Sequence, residues 1–162
     1  MKRLLILLCG SLLLLSACGA KASYTNTLPC ADLADTLEEQ IPANLGYETY
    51  GADHIQFYFK NNDLYDDLCL RYTARSEDIG EFGILHATDP KACRELEALC
   101  REYLETLREE KSAFIASYAP EELPKLEQAE VRAFGSYVTY AILSEEEREL
   151  FFDTVEKRLT EK

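Results

Sequence analysis

Leu33, Ala34, Leu37 and Ile41 recur at helical spacing, with Pro29 ahead of them and Pro42 behind, which predicts a first helix. Between Asn44 and Asp67 the aromatic and aliphatic positions (Tyr47, Tyr50, Ile55, Phe57, Tyr58, Phe59) follow neither period well, and Asn61, Asn62 and Asp63 read as a turn. Leu68–Ala74 and Gly80–His86 are short apolar-rich runs joined by the polar Arg75–Asp78, as expected of an antiparallel hairpin. Asp89 as N-cap and Pro90 at the first helical position open a long helix with the apolar stripe Cys93, Leu96, Cys100, Tyr103, Leu107 and Phe114, ending near Tyr118 before Pro120. A loop containing Pro120 and Pro124 follows. Val131–Phe134 and Tyr137–Leu143 then flank Gly135-Ser136, where glycine at the first central position suits a type II′ hairpin turn. Ser144 and Glu147 have capping-box spacing ahead of Leu150, Phe151, Val155 and Leu159, the stripe of a terminal helix closing with Lys157, Arg158 and Lys162. The expected fold is α+β, with element order α-ββ-α-ββ-α. It is a two-layer sandwich with a four-stranded antiparallel sheet from two hairpins and three helices on one face.

The N-terminal segment follows a different logic. Lys2 and Arg3 precede an apolar run from Leu4 to Leu15, only 12 residues and too short to span a bilayer, which needs about 20. Leu15-Ser16-Ala17-Cys18 resembles the bacterial lipobox, which implies cleavage before Cys18 and acylation of its thiol. The competing reading is ordinary secretion with cleavage after Ala22, at Ala20-Lys21-Ala22. The expected organisation is a signal peptide at 1–17, a lipidated tether at 18–27 and one α+β domain at 28–162. A lipid-anchored, extracytoplasmic protein on the cell membrane follows, with the covalent lipid on Cys18 as its only non-protein group and no other cofactor. Lipidation with two or more chains anchors stably where one does not.

Removing the first 17 of 162 residues leaves 145, enough for one core. The chain carries 17 basic and 30 acidic residues, a net charge of −13 that becomes −15 on losing Lys2 and Arg3. Such a surface repels nucleic acid and anionic headgroups and favours solubility. Cys30, Cys69, Cys93 and Cys100 remain beyond the anchor. Cys93 and Cys100 lie about 10.5 Å apart along one helix, too far to bond each other. Disulfides from each to Cys30 or Cys69, or four buried free thiols, are both open readings.

Several segments resemble a family of small bacterial lipoproteins, domain-of-unknown-function family 4358. They are the lipobox, Leu64-Tyr65-Asp66-Asp67 before Leu70-Arg71-Tyr72, and Ile79 through Leu85. Further on come Tyr118, Pro120, Pro124-Lys125-Leu126, and Gly135 with Tyr137-Val138. The resemblance spans nearly all the mature chain and implies a surface lipoprotein without an assigned activity. The extra cysteines depart from that family's pattern.

Chemistry-bearing motifs are sparse. His54 and His86 are the only histidines and have no ligand spacing; Asn61, Asp63, Asp66 and Asp67 lack the glycine and terminal glutamate of a calcium loop, so no metal is expected. There is no Gly-x-Ser-x-Gly elbow, Ser-x-x-Lys or phosphate-binding loop, and no catalytic residue is assigned. Glu81 breaks a local rule, lying within an apolar strand where a carboxylate must face solvent, pair with a cation such as Arg71, or serve a site. Tyr137 and Tyr140 are core aromatics or, if exposed, a stacking pair. The leading expectation is a non-catalytic interaction module of the cell envelope. The alternative is capture of a small molecule, peptide or cell-wall fragment, and a hydrolase using acidic residues comes third. An exposed apolar patch would favour the first, a deep pocket with convergent polar groups the second, and paired carboxylates in opposed environments the third.

Overall fold

A computed structural model describes residues 23–41, 46–60 and 63–161. The expected signal peptide, the lipobox-like stretch with Cys18, and the Asn61-Asn62 part of the expected turn lie outside the described residues. In chain order the elements are α1 (Cys30–Glu38), β1 (Tyr47–Thr49), α2 (Ala52–Tyr58), β2 (Tyr65–Thr73), β3 (Glu81–Ala87), α3 (Pro90–Tyr118), α4 (Leu123–Glu127), β4 (Glu130–Phe134), β5 (Tyr137–Ile142) and α5 (Glu145–Thr160).

The class is α+β, but the expected four-stranded sheet and three helices are corrected to five strands and five helices among the described residues. The strand order is β1-β2-β3-β5-β4, with every neighbour antiparallel. The fifth strand, β1, is a three-residue edge pairing Tyr47–Thr49 with Arg71–Thr73 of β2, too short to show a period of two. The two added helices are equally brief: α2 buries none of its seven residues, and α4 has five residues around Pro124.

The second correction concerns layers. Helices cover both faces, giving three layers in place of two. On one face α1 and α5 pack Leu33, Leu37, Phe151, Phe152 and Val155 against Phe82, Ile84 and Tyr137. On the other, α3 with α2 and α4 packs Leu96, Cys100, Tyr103 and Leu126 against Leu70, Leu85, Val138 and Tyr140. The cause is visible in β5, buried at all six positions, and in β3, buried at six of seven. A strand apolar on both sides needs cover on both sides.

Local chemistry fixes the long elements. The Asp89 carboxylate accepts from the backbone N–H groups of Lys91 (2.6 Å) and Ala92 (2.9 Å), with Pro90 opening α3. The Ser144 hydroxyl accepts from Glu147 N–H, and the Glu147 carboxylate accepts from Ser144 N–H, closing the capping box of α5. Gly135 has φ +63°, the left-handed value expected at the first central position of the β4–β5 turn. One expectation for α3 fails near its end: Phe114 is exposed, and burial passes to Ile115. At 3.6 residues per turn Ile115 falls about 20° from the line of buried Leu104, whereas Phe114 falls about 80° from it.

Candidate functional site

Glu81 opens β3 and pairs in register with Tyr72 of β2 and Ile142 of β5. Strand alternation sends its side chain to the α3 face along with Gly83 and Leu85. Arg71, the cation expected to pair with it, faces the other way. Its guanidinium bonds Asp35 of α1 at 2.7 Å, lies 3.4 Å from Glu38, and donates to the Cys69 sulfur.

What meets Glu81 instead is a set of phenols. Tyr103 of α3 and Tyr140 of β5 each donate to Oε1 at 2.7 Å, and Tyr50, just after β1, donates to Oε2 at 2.8 Å. Each donor is placed by a different element. Tyr50 N–H bonds Leu70 O, prolonging the β1 edge so that its ring stays beside β2. Tyr140 lies across β3 because position 83 is glycine: a Cβ there would sit 2.1 Å from Tyr140 Cε1 and 2.8 Å from Leu70 Cδ2. Tyr103 belongs to the buried stripe of α3.

Glu81 is 6% exposed. Burial raises its pKa, and the hydrogen bonds from Tyr103, Tyr140 and Tyr50 pull against that rise without cancelling it. Burial together with the nearby carboxylate pushes the three tyrosines well above the usual phenol range. Behind the carboxylate runs a ladder of rings: Tyr72 stacks on Tyr50 (centroids 4.4 Å), Tyr50 on His54 (3.5 Å), and His54 packs on Tyr58 (4.9 Å). Burial lowers the pKa of His54, favouring a neutral ring within the stack.

The residual exposure of Glu81 opens into a cleft of about 290 Å³ between the end of the sheet and the α3–α4 corner. Leu107, Phe114 and Ile115 of α3, Leu126 of α4, Ile142 of β5 and Ile79 of the β2–β3 loop supply its apolar walls. Tyr50 and Tyr72 form its aromatic side, and Lys111 and Asp78 also border it. Arg108 fixes this corner by donating to Leu126 O (3.0 Å) and Ala129 O (2.8 Å). Lys125 clamps the facing loop, bonding Asp78 at 2.9 Å and Glu122 at 2.8 Å, while Glu122 accepts from Ile79 N–H. A broader hollow of about 400 Å³ runs along α2 and α3 past Phe57 and Tyr58, but Tyr103 there turns its hydroxyl away toward Glu81.

Asp78 and Glu81 are two carboxylates in one cleft with opposed environments. Burial pushes Asp78 up, but the Lys125 ammonium and Gly80 N–H outweigh it and hold Asp78 below the usual range. The same Asp78 oxygen accepts from both Gly80 N–H and the Lys125 ammonium. Its role is to hold the loop.

Of the residues singled out in the sequence, the fold brings Glu81 and Tyr140 together and separates Tyr137. Both tyrosines are fully buried, which overturns an exposed stacking pair. Tyr137 lies on the α1/α5 face and donates to Leu28 O at 2.7 Å. Cys30 and Cys69 lie on that same face, whereas Cys93 and Cys100 lie on the α3 face; all four are free thiols. A bridge from Cys100 to Cys30 or Cys69, one of the two readings the sequence leaves open, would have to cross the sheet. Asp66 pairs with His86 at 2.5 Å and Asp67 accepts from Cys30 N–H, so the acidic stretch before β2 serves two separate anchors. Tyr50 and Tyr103 were not singled out in the sequence. Tyr103 carried only the signal of a stripe residue with a hydroxyl, which a buried position must satisfy.

No curated protein and no solved structure gives a significant match. Residues 52–143 match the family described as Domain of unknown function (DUF4358). That segment runs from α2 to the end of β5 and contains every cleft-lining residue except Tyr50. With more than half its length matched, the chain belongs to the DUF4358 family.

Proposed function

We propose that this chain is a ligand-capture lipoprotein: a domain held outside the cytoplasm by lipid on Cys18, which binds a small ligand in the cleft over Glu81 without transforming it. The observation that carries the reading is the buried Glu81 carboxylate, gripped by three tyrosines beside a mainly apolar cleft. A carboxylate in such a place costs stability relative to a well-packed apolar residue, and its environment is of the kind found at functional sites. An apolar cavity with a few convergent polar groups is the ordinary form of a small-molecule site. Capture is favoured over hydrolysis because Asp78, the other carboxylate at the cleft, is engaged by Lys125 and Gly80.

A saturation-transfer NMR screen of small amines, alcohols and acids on the full chain tests this. Binders are expected, and Leu107→Trp, which fills the cleft from α3, should abolish their signals. An absence of binders, or binders indifferent to Leu107→Trp, would overturn the reading. The anchor is checked separately by feeding cells an alkyne-tagged fatty acid: the native chain should take up label and Cys18→Ala should not.

A second reading, docking to an envelope protein, is supported by Phe114 and Tyr118, which are stacked at 4.6 Å and 62% and 76% exposed at the end of α3. Crosslinking in living cells should then capture a partner with the native chain and lose it with Phe114→Ser/Tyr118→Ser.

A further inference from the structure

Resting on the capture reading, we infer that the cleft takes an organic ammonium ion with a compact apolar body, its charge against Glu81 and its body along Ile79, Leu107 and Ile115. Four observations point the same way. First, the partners of Glu81 are three neutral hydroxyls; no lysine, arginine or histidine pairs with it among the described residues, so the carboxylate, when ionised, has no counter-ion. A buried charge calls for pairing, and a cationic ligand supplies it. Second, Tyr50 has both ring faces taken by Tyr72 and His54, but Tyr72, the outer ring of that ladder, borders the cleft beside the carboxylate, and aromatic faces attract cations within about 6 Å.

Third, the local charges are biased. The charged residues lining the cleft are Asp78, Glu81 and Lys111, and the Lys125 that engages Asp78 is shared with Glu122 beyond the lining. The whole chain, at −13, attracts cations at long range. Fourth, the walls are apolar and the volume lies at the lower end of small-molecule pockets, which suits a body about the size of one ring and a short chain. An anion would face Glu81 directly, and a neutral ligand would cover the carboxylate without pairing it.

Isothermal titration of the full chain at neutral pH with three ligands of matched shape decides the question: 2-phenylethylammonium, 2-phenylethanol and 3-phenylpropionate. The ammonium is expected to bind about tenfold or more tighter than the alcohol, and the propionate more weakly than either. Glu81→Gln should bring ammonium and alcohol within about twofold, and Tyr72→Leu should narrow the gap with the carboxylate left in place. Lys111→Gln, by removing a competing cation, should tighten ammonium binding about twofold. Equal binding of ammonium and alcohol by the native chain would overturn the cation assignment while leaving the cleft reading standing. Binding of none of the three, alongside an empty screen, would overturn both.

Discussion

The two faces of the sheet are made by alternate residues of the same strands, yet they are packed to different ends. Toward α1 and α5, β3 presents Phe82 and Ile84, which meet Phe151 and Phe152 in a closed apolar layer. Toward α3, the same strand presents Glu81, Gly83 and Leu85, and the layer above them carries a carboxylate, three engaged phenols, a ladder of rings and a cleft. The first face does what a core does. The second gives up apolar burial and close packing at one end, where a ligand can replace them. A family segment that starts at α2 and stops after β5 contains the helices of the second face and neither helix of the first.

Substitutions on each face should separate stability from binding. Phe151→Ala, on the closed face, should cost about 3–5 kcal/mol in urea unfolding while leaving ligand affinity of the folded fraction unchanged. Gly83→Ala, on the open face, should cost about 1–3 kcal/mol or more, because its Cβ displaces Tyr140, and should also abolish ammonium selectivity. Tyr140→Phe should cost about 1.5–3 kcal/mol by removing one donor to a charged acceptor and should weaken binding. Tyr137→Phe, its neighbour on the closed face, should leave binding unaltered.

The smallest effect is a pH dependence whose sign is specific. The pKa of Glu81 is raised by folding, so the folded chain holds a proton that the unfolded chain has released, and stability declines as pH rises from the ordinary glutamate value toward the raised one. Glu81→Gln removes that decline. The difference in stability between variant and native chain should therefore shift in favour of the variant across that window and stay level above it, as read by urea midpoints at successive pH values.

Much of this architecture was legible where the chemistry is local. Asp89-Pro90, the Ser144/Glu147 box and Gly135 announced their helix starts and turn because caps and left-handed positions are written in a few adjacent residues. β1 and α2 were not legible, since three and seven residues are too few for a period to emerge from aromatic-rich sequence. The third layer had a signal in Tyr137–Leu143, where Thr139 is the one non-aromatic polar side chain, whereas a sheet covered on one side would have alternated apolar and polar residues. Glu81 stood out as a rule-breaker, but its partners could not be foreseen. Tyr50, Tyr103 and Tyr140 lie 31, 22 and 59 residues away and meet only through the strand order. Arg71, the obvious partner by sequence, differs from Tyr72 by one position, and one position changes the face.

The measurement that bears most directly on the account is an amide chemical-shift map of the ¹⁵N-labelled full chain titrated with 2-phenylethylammonium. Saturable shifts are expected at Ile79, Gly80, Glu81, Lys111 and Ile142, with Ile84, Phe151 and Phe152 unmoved. Shifts centred on the α1/α5 face, or none at saturating ligand, would contradict it.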